Sequence, residues 1–422
     1  MEAKSTQPTM NHPKSKIQNP RSHKALRFVL ACCQAEPSDA DTRLILSLIQ
    51  NPTLNIQDLL FLSTYHGVLP LVYQGLKKIS TKHSSLFTLS SSLERMLTEL
   101  QPYYQSIARR NMLMSAELIK LMKLFKDHNI EILAFKGPVL AQSAYGDITL
   151  RRYGDLDLLL RREDFRTAAR LMRERGYAPL FPIDDYRGDK VLFDLNNDCP
   201  FYDRKRGLAV ELHWDFFRKL ALPTVKLHPW DNPGTIYLNG AEIPTLNDES
   251  HLLYLSLHGS KHIYERLLWI VDLDRFVRAH PDLDWDRVET MARRMGVLKM
   301  LLFSLALSRH LLTTPLPDSL KASADPEDFR EMIDFVESQF RREDPTPEES
   351  LVKLAKVVSL RDNLHFKTAT ALEFLFRPGI NERRMVILPD RWAWLYWPLR
   401  PFGMGYRFVR CRLFGRCNPQ EA

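Results

Sequence analysis

A chain of 422 residues is long for a single hydrophobic core and points to two or three domains. Its 45% hydrophobic and 26% charged residues are ordinary for a globular protein, and a formal net charge of +8 suits a phosphate-bearing partner without requiring one. Five cysteines, odd in number and without a CxxC pair, argue against a disulfide framework and for a reducing compartment. No run of eighteen apolar residues predicts a membrane-spanning helix, and "ALRFVLACC", broken by Arg27, is not an export signal.

Residues 1–22, rich in Pro, Ser, Lys and Asn, are predicted to be disordered. Residues 23–127 read as helical. Met114, Leu118, Leu121, Met122 and Phe125 fall on one helix face. Residues 128–246 change to an α/β pattern. "IEILAF" is a strand, and "PVLAQSAYG" a short helix with Pro138 in its first turn. "DLDLLL" is a second strand, and "REDFRTAARLMRERGY" a helix closed by Gly176. "CPFYD" and "LAVELHW" form a hairpin around a Gly-containing turn. Residues 247–380 are helical again, and residues 381–422 are an aromatic and basic tail. No internal repeat is evident.

The chemistry concentrates in the two later strands. Side chains alternate along a strand, so Asp155 and Asp157 share one face while Leu156, Leu158 and Leu160 take the other. Two facing carboxylates resist joint ionisation unless a cation lies between them. Glu211 repeats the arrangement on "LAVELHW", where Leu208, Val210, Leu212 and Trp214 define the opposite, core-facing side. Three acids on neighbouring strands offer the hard oxygen ligands that a pair of Mg²⁺ ions needs, with phosphate oxygens completing the shell. A lone DxD is more often a solvated sheet face. Here "FKG" precedes a helix directly, so the backbone turn, the helix N-terminus and the Lys136 ammonium together suit a triphosphate, and Arg151 can add a contact. The absence of GxxxxGK[ST] excludes a P-loop NTPase.

"KGPVLAQSAYGDITLRRYGDLDLLL", "RERGY" and "VELHWDF" resemble the nucleotidyltransferase family of the DNA polymerase β-like superfamily, in a bacterial branch with a KG turn, an RxxxDxD strand and an ELHW strand. "YHGVLPLVYQGL", "SLHGSKHIYERLLWIVDLDRFV" and "ILPDRWAWLYWPLRPF" extend the likeness over residues 40 to 403. The resemblance implies a mixed-sheet nucleotidyltransferase core flanked by helical regions. It implies transfer of a nucleoside monophosphate from a nucleoside triphosphate to an acceptor hydroxyl or phosphate, with release of pyrophosphate. Asp155, Asp157 and Glu211 would then be the metal-binding and catalytic acids for two Mg²⁺ ions, or Mn²⁺, with Glu211 able instead to accept the acceptor's proton. Lys136 and Gly137 would hold the triphosphate, and Arg151 would stabilise the departing pyrophosphate. The acceptor (small molecule, sugar, protein or RNA) stays open. So does the alternative of an inactive nucleotide-binding or regulatory protein on the same fold.

His258 and His262 share a helix face, but "GSK" between them lacks the glutamate of a zinc hydrolase, so packing on the core, at the border of the nucleotide cleft, is the expectation. Asp272 reads as a structural partner of these residues. His213 shares Glu211's face and either orients that carboxylate or is simply buried. Like-charge relief predicts that Asp157→Asn leaves the metal-free fold as stable as before, or slightly more so. From Arg391 onward the tail joins Trp392, Trp394, Tyr396 and Trp397 to six arginines, which suits packing on the helical domain or an anionic membrane surface. A cytoplasmic location, peripheral at the inner membrane surface, follows as an expectation.

Overall fold

The computed structural model describes residues 23–51, 54–82, 87–181, 183, 192–193, 196–216, 227–340, 347–376, 378, 388, 390–403 and 405. The predicted disorder of residues 1–22 and the arginines beyond residue 405 lie outside them.

Five helices come first: α1 (His23–Cys33), α2 (Asp39–Ile49), α3 (Ile56–Tyr65), α4 (Leu69–Lys82) and the long α5 (Phe87–Asp127). The predicted stripe of α5 is confirmed. Met114, Leu118, Leu121 and Phe125 are fully buried, and Met122 is partly so. The helix ends with Asn129 in the left-handed region at φ 56°, while the Ile130 N–H donates to the Phe125 carbonyl at 2.9 Å.

The sheet is β1 (Ile132–Ala134), β2 (Leu156–Leu160), β3 (Ala178–Pro179), β4 (Asp198–Asp203) and β5 (Leu208–His213), in the order β1-β2-β5-β4-β3. It is mixed, as expected: β2 and β5 run parallel, and the other pairs are antiparallel. Helices α6 (Pro138–Tyr145) and α7 (Phe165–Glu174) lie between the strands in sequence. The helix expected from Arg162 opens as a 3₁₀ turn over Arg162–Asp164 and stops before Gly176, at φ 89°.

Two apolar cores sandwich this sheet. Leu156, Leu158, Leu160, Val210, Leu212 and Trp214 join α5 and α7 on one side. Leu133, Phe135 and Leu159 face the other, larger core, built mainly from helices. Among those helices are α8 (Asp248–Lys261), α9 (Leu267–Ala279), α10 (Trp285–Arg294) and α11 (Leu298–Leu312). β2 is therefore buried on both faces, which explains its nearly continuous leucines.

A separate hairpin of β6 (Gly234–Leu238) and β7 (Ala241–Thr245) was not anticipated. Its signal was present as Asn239-Gly240, whose φ values of 50° and 80° form the tight turn. The chain continues through α12 (Asp318–Lys321), α13 (Arg330–Phe340), α14 (Pro347–Ser359) and α15 (Leu364–Phe376). No helix among the described residues is long and apolar enough to cross a membrane. In the tail, Tyr396 is fully buried and its hydroxyl accepts from the Leu388 N–H at 2.8 Å, whereas Trp392 and Trp394 are 50% and 65% exposed.

Candidate active site

The parallel register pairs Asp157 directly with Glu211, and Leu159 with His213. Alternation then puts the two acids and His213 on the face turned toward α8 and α9. That face is not a solvated surface, since Asp157 is only 3% exposed. Asp155 sits just before β2, half-buried at the edge of the same site.

Lys136, at the end of β1, places Nζ 3.1 Å from Asp157 Oδ1. His213 Nε2 lies 3.3 Å from both Asp157 Oδ1 and Glu211 Oε2. Asp157 Oδ2 is buried and makes no hydrogen bond among the described residues. A buried carboxylate oxygen left bare costs free energy unless something else takes it. Asp157, Glu211 and His213 can bring one ligand atom each within 4.8 Å of one another. A divalent cation fits there on this donor chemistry, two carboxylates and an imidazole, and would take the bare oxygen. His213 as a donor was outside the all-carboxylate expectation.

The charges respond to this crowding. Burial raises Asp155, reinforced by Asp157 and Glu211, to about 7. Burial pushes Asp157 up as well, but Lys136 and His213 outweigh it and hold the carboxyl below its usual range. His213 rises to about 9, because bonds to Asp157 and Glu211 overcome its burial. The repulsion expected between two aspartates thus settles on Asp155 alone, and Asp157 is stabilised as an anion. The expectation that Asp157→Asn leaves the fold undisturbed is corrected accordingly.

The turn after β1 is built for close approach. Gly137 has φ 55° and caps α6, with Pro138 following at the first helical position. A Cβ there would stand 3.2 Å from the Asp155 carbonyl. Lys136, Gly137, Arg151, Asp155 and Asp157 line one cavity of about 290 Å³, whose far wall includes Leu255, His258, Leu268 and Trp269. Two larger cavities, of about 470 and 560 Å³, lie in other parts of the molecule and contain none of these residues.

Arg151 reaches the cavity wall with its fork already occupied. Its Nε and Nη2 donate to Asp272 at 2.7 and 2.9 Å, and the Tyr145 hydroxyl donates to the same carboxylate at 2.7 Å. Asp272 is therefore the partner of Arg151 and Tyr145, not of the histidines of α8. His258 and His262 pack on each other and on Trp269, with ring centroids 5.2 Å apart for each pair. Trp214 packs into the core beside Phe165, as its strand position implied.

A mixed α/β sheet that gathers carboxylates beside a glycine turn, at the start of a helix, defines the class to which this chain's site belongs. The protein belongs to the family described as uncharacterised nucleotidyltransferase, whose pattern matches residues 52–313. None of the curated proteins matches the chain. Among solved structures, the solution structure of the antibiotic-resistance factor ANT(2'')-Ia is similar with a TM-score of 0.30 and 10% identity, over 44% of this chain and 91% of that one.

Proposed function

We propose that the protein transfers a nucleoside monophosphate from a nucleoside triphosphate to an acceptor hydroxyl or phosphate, releasing pyrophosphate. The observation that carries this reading is the register setting Asp157 beside Glu211, in one pocket with Lys136 and the start of α6.

Asp155, Asp157 and Glu211 would hold a divalent cation, Mg²⁺ as a pair or Mn²⁺, with the His213 imidazole as a further donor beside the last two. When bound, the metal neutralises charge on the phosphates and makes the acceptor oxygen more acidic. Lys136 then exchanges Asp157 for a phosphate oxygen, and Gly137 lets the backbone approach the triphosphate. The acceptor oxygen forms a bond to the α-phosphorus as the bond to pyrophosphate breaks, and Glu211, where it is not a metal ligand, takes the acceptor's proton. Arg151, held rigid by Asp272, contributes positive potential where the pyrophosphate departs. Leu268 and Trp269 offer an apolar wall for the base.

The acceptor is a small molecule, sugar, protein or RNA in the cytoplasm. The exposed Trp392 and Trp394 suit peripheral contact with the inner membrane surface. Incubation with Mg²⁺, each α-labelled triphosphate and cell extract tests the reading. Label transferred to an extract component by the wild type, and not by Asp157→Asn, is the expected result. Nucleotide bound without transfer under every condition would indicate a regulatory protein instead.

A further inference from the structure

Arg152, on the cavity lining, has two further arginines near it that the transfer step leaves unused. Arg152 lies on the cavity lining next to Gly154, and its Nη1 donates to the Thr64 carbonyl at 2.9 Å. Arg110, from α5, donates to the Gly154 carbonyl at 3.1 Å. Arg266, just before α9, donates to the Tyr65 carbonyl while its guanidinium lies 3.9 Å over the Tyr65 ring. Three distant parts of the chain thereby bring guanidinium groups to one place.

Arg151, Arg206 and Arg278 each sit on a carboxylate. Arg110, Arg152 and Arg266 are anchored by carbonyls, and among the described residues none of them forms an ion pair. Burial and the nearby charges of Arg266 and Arg110 lower the pKa of Arg152, with no acid opposing them. A guanidinium has five N–H donors and each of these spends one on its anchor, which leaves other donors for an oxyanion.

We propose that Arg110, Arg152 and Arg266 form a phosphate-binding rim at the mouth of the cavity. The rim rests on the transferase reading and deepens it, taking either the terminal phosphates of the nucleotide or a phosphate group on the acceptor.

Calorimetric titration with inorganic tripolyphosphate, in excess chelator, tests the rim without the metal centre. The wild type binds, and more weakly as salt rises. Arg152→Gln and Arg266→Gln each weaken binding by about tenfold. Arg152→Lys, which keeps the charge and guards against a misfolded variant, loses less. A wild type that ignores tripolyphosphate, or Gln variants that bind it as the wild type does, would overturn the rim. A parallel titration with a fluorescent ATP analogue and Mg²⁺ separates the two sources. An equal loss for ATP assigns the rim to the nucleotide's terminal phosphates, and unchanged ATP affinity assigns it to a phosphorylated acceptor. If transfer is never seen while the rim still binds, the transferase reading falls and the rim stands.

Discussion

Asp157 and Asp272 are both buried aspartates, 3% and 1% exposed, and both touch a basic side chain. Their environments differ in completeness. Asp272 has each oxygen occupied, one by Tyr145 and Arg151 and the other by Arg151 alone. Asp157 crowds Lys136 and His213 around Oδ1 and leaves Oδ2 bare. Glu117, also 3% exposed, follows the first pattern, with Tyr177 on one oxygen and Arg206 on the other. Asp272 and Glu117 are satisfied within the fold, whereas Asp157 is left with an oxygen open to a ligand.

The largest expected effect breaks this contrast on the side of function. Asp157→Asn should reduce metal-dependent transfer by about a thousandfold or more, since the acid acts at the reacting phosphate. It should also lower stability by roughly 1–3 kcal/mol, because Lys136 and His213 lose their counter-ion. Asp155→Asn should abolish transfer as well, yet leave the metal-free melting temperature equal or higher, since Asp155 is the acid that burial and its neighbours disfavour as an anion. Transfer assays with thermal melts on both variants check the pair. A wild-type rate in either would sink the site.

On the side of the fold, Asp272→Asn should cost roughly 3–5 kcal/mol by leaving Arg151 buried without its anion. Replacing both by apolar residues, Arg151→Met with Asp272→Leu, should recover most of that loss. Denaturant melts of the single and double variants read this directly.

Two histidines sharpen the comparison with opposite signs. His213 is raised to about 9, so its stabilisation is complete below pH 6.5 and is lost as pH rises toward 9. Burial lowers His251 to about 3, so its protonation opposes folding, and stability falls as pH drops from 6.5 toward 3. Each slope should be about 1.4 kcal/mol per pH unit within its window. Melts across pH on His213→Asn and His251→Asn should each flatten one limb only.

Gly137→Ala is expected to cost about 1–2 kcal/mol, from a left-handed φ of 55° and a close contact with the Asp155 carbonyl. Triphosphate affinity should drop with it, whereas Gly154→Ala, where a Cβ meets nothing, should change affinity little. The smallest effect concerns the tail. Trp392→Ala with Trp394→Ala should leave stability within about 0.5 kcal/mol, both being exposed, yet reduce sedimentation with anionic vesicles. Unchanged sedimentation would remove the membrane contact.

Local periodicity carried a good deal of this protein. Alternation in "DLDLLL" and "LAVELHW" placed Asp157 and Glu211 opposite the core-facing leucines, and Gly137-Pro138 marked a helix start, because side-chain direction and backbone φ are set within a few residues. The Asn239-Gly240 turn is equally local, with both residues at positive φ. Other features had no local signal. The parallel pairing that sets Asp157 against Glu211 depends on a crossover. Arg151 meets Asp272 across 121 residues, and Arg152 meets the last turn of α3 across 88. His213 became a third member of the acid cluster only when β2 and β5 came into register. Sequence pattern determined which way each side chain points from its own strand or helix. Packing between distant elements decided which charges meet, because a carboxylate's partner is set by distance in space, and that distance does not exist until the chain has folded.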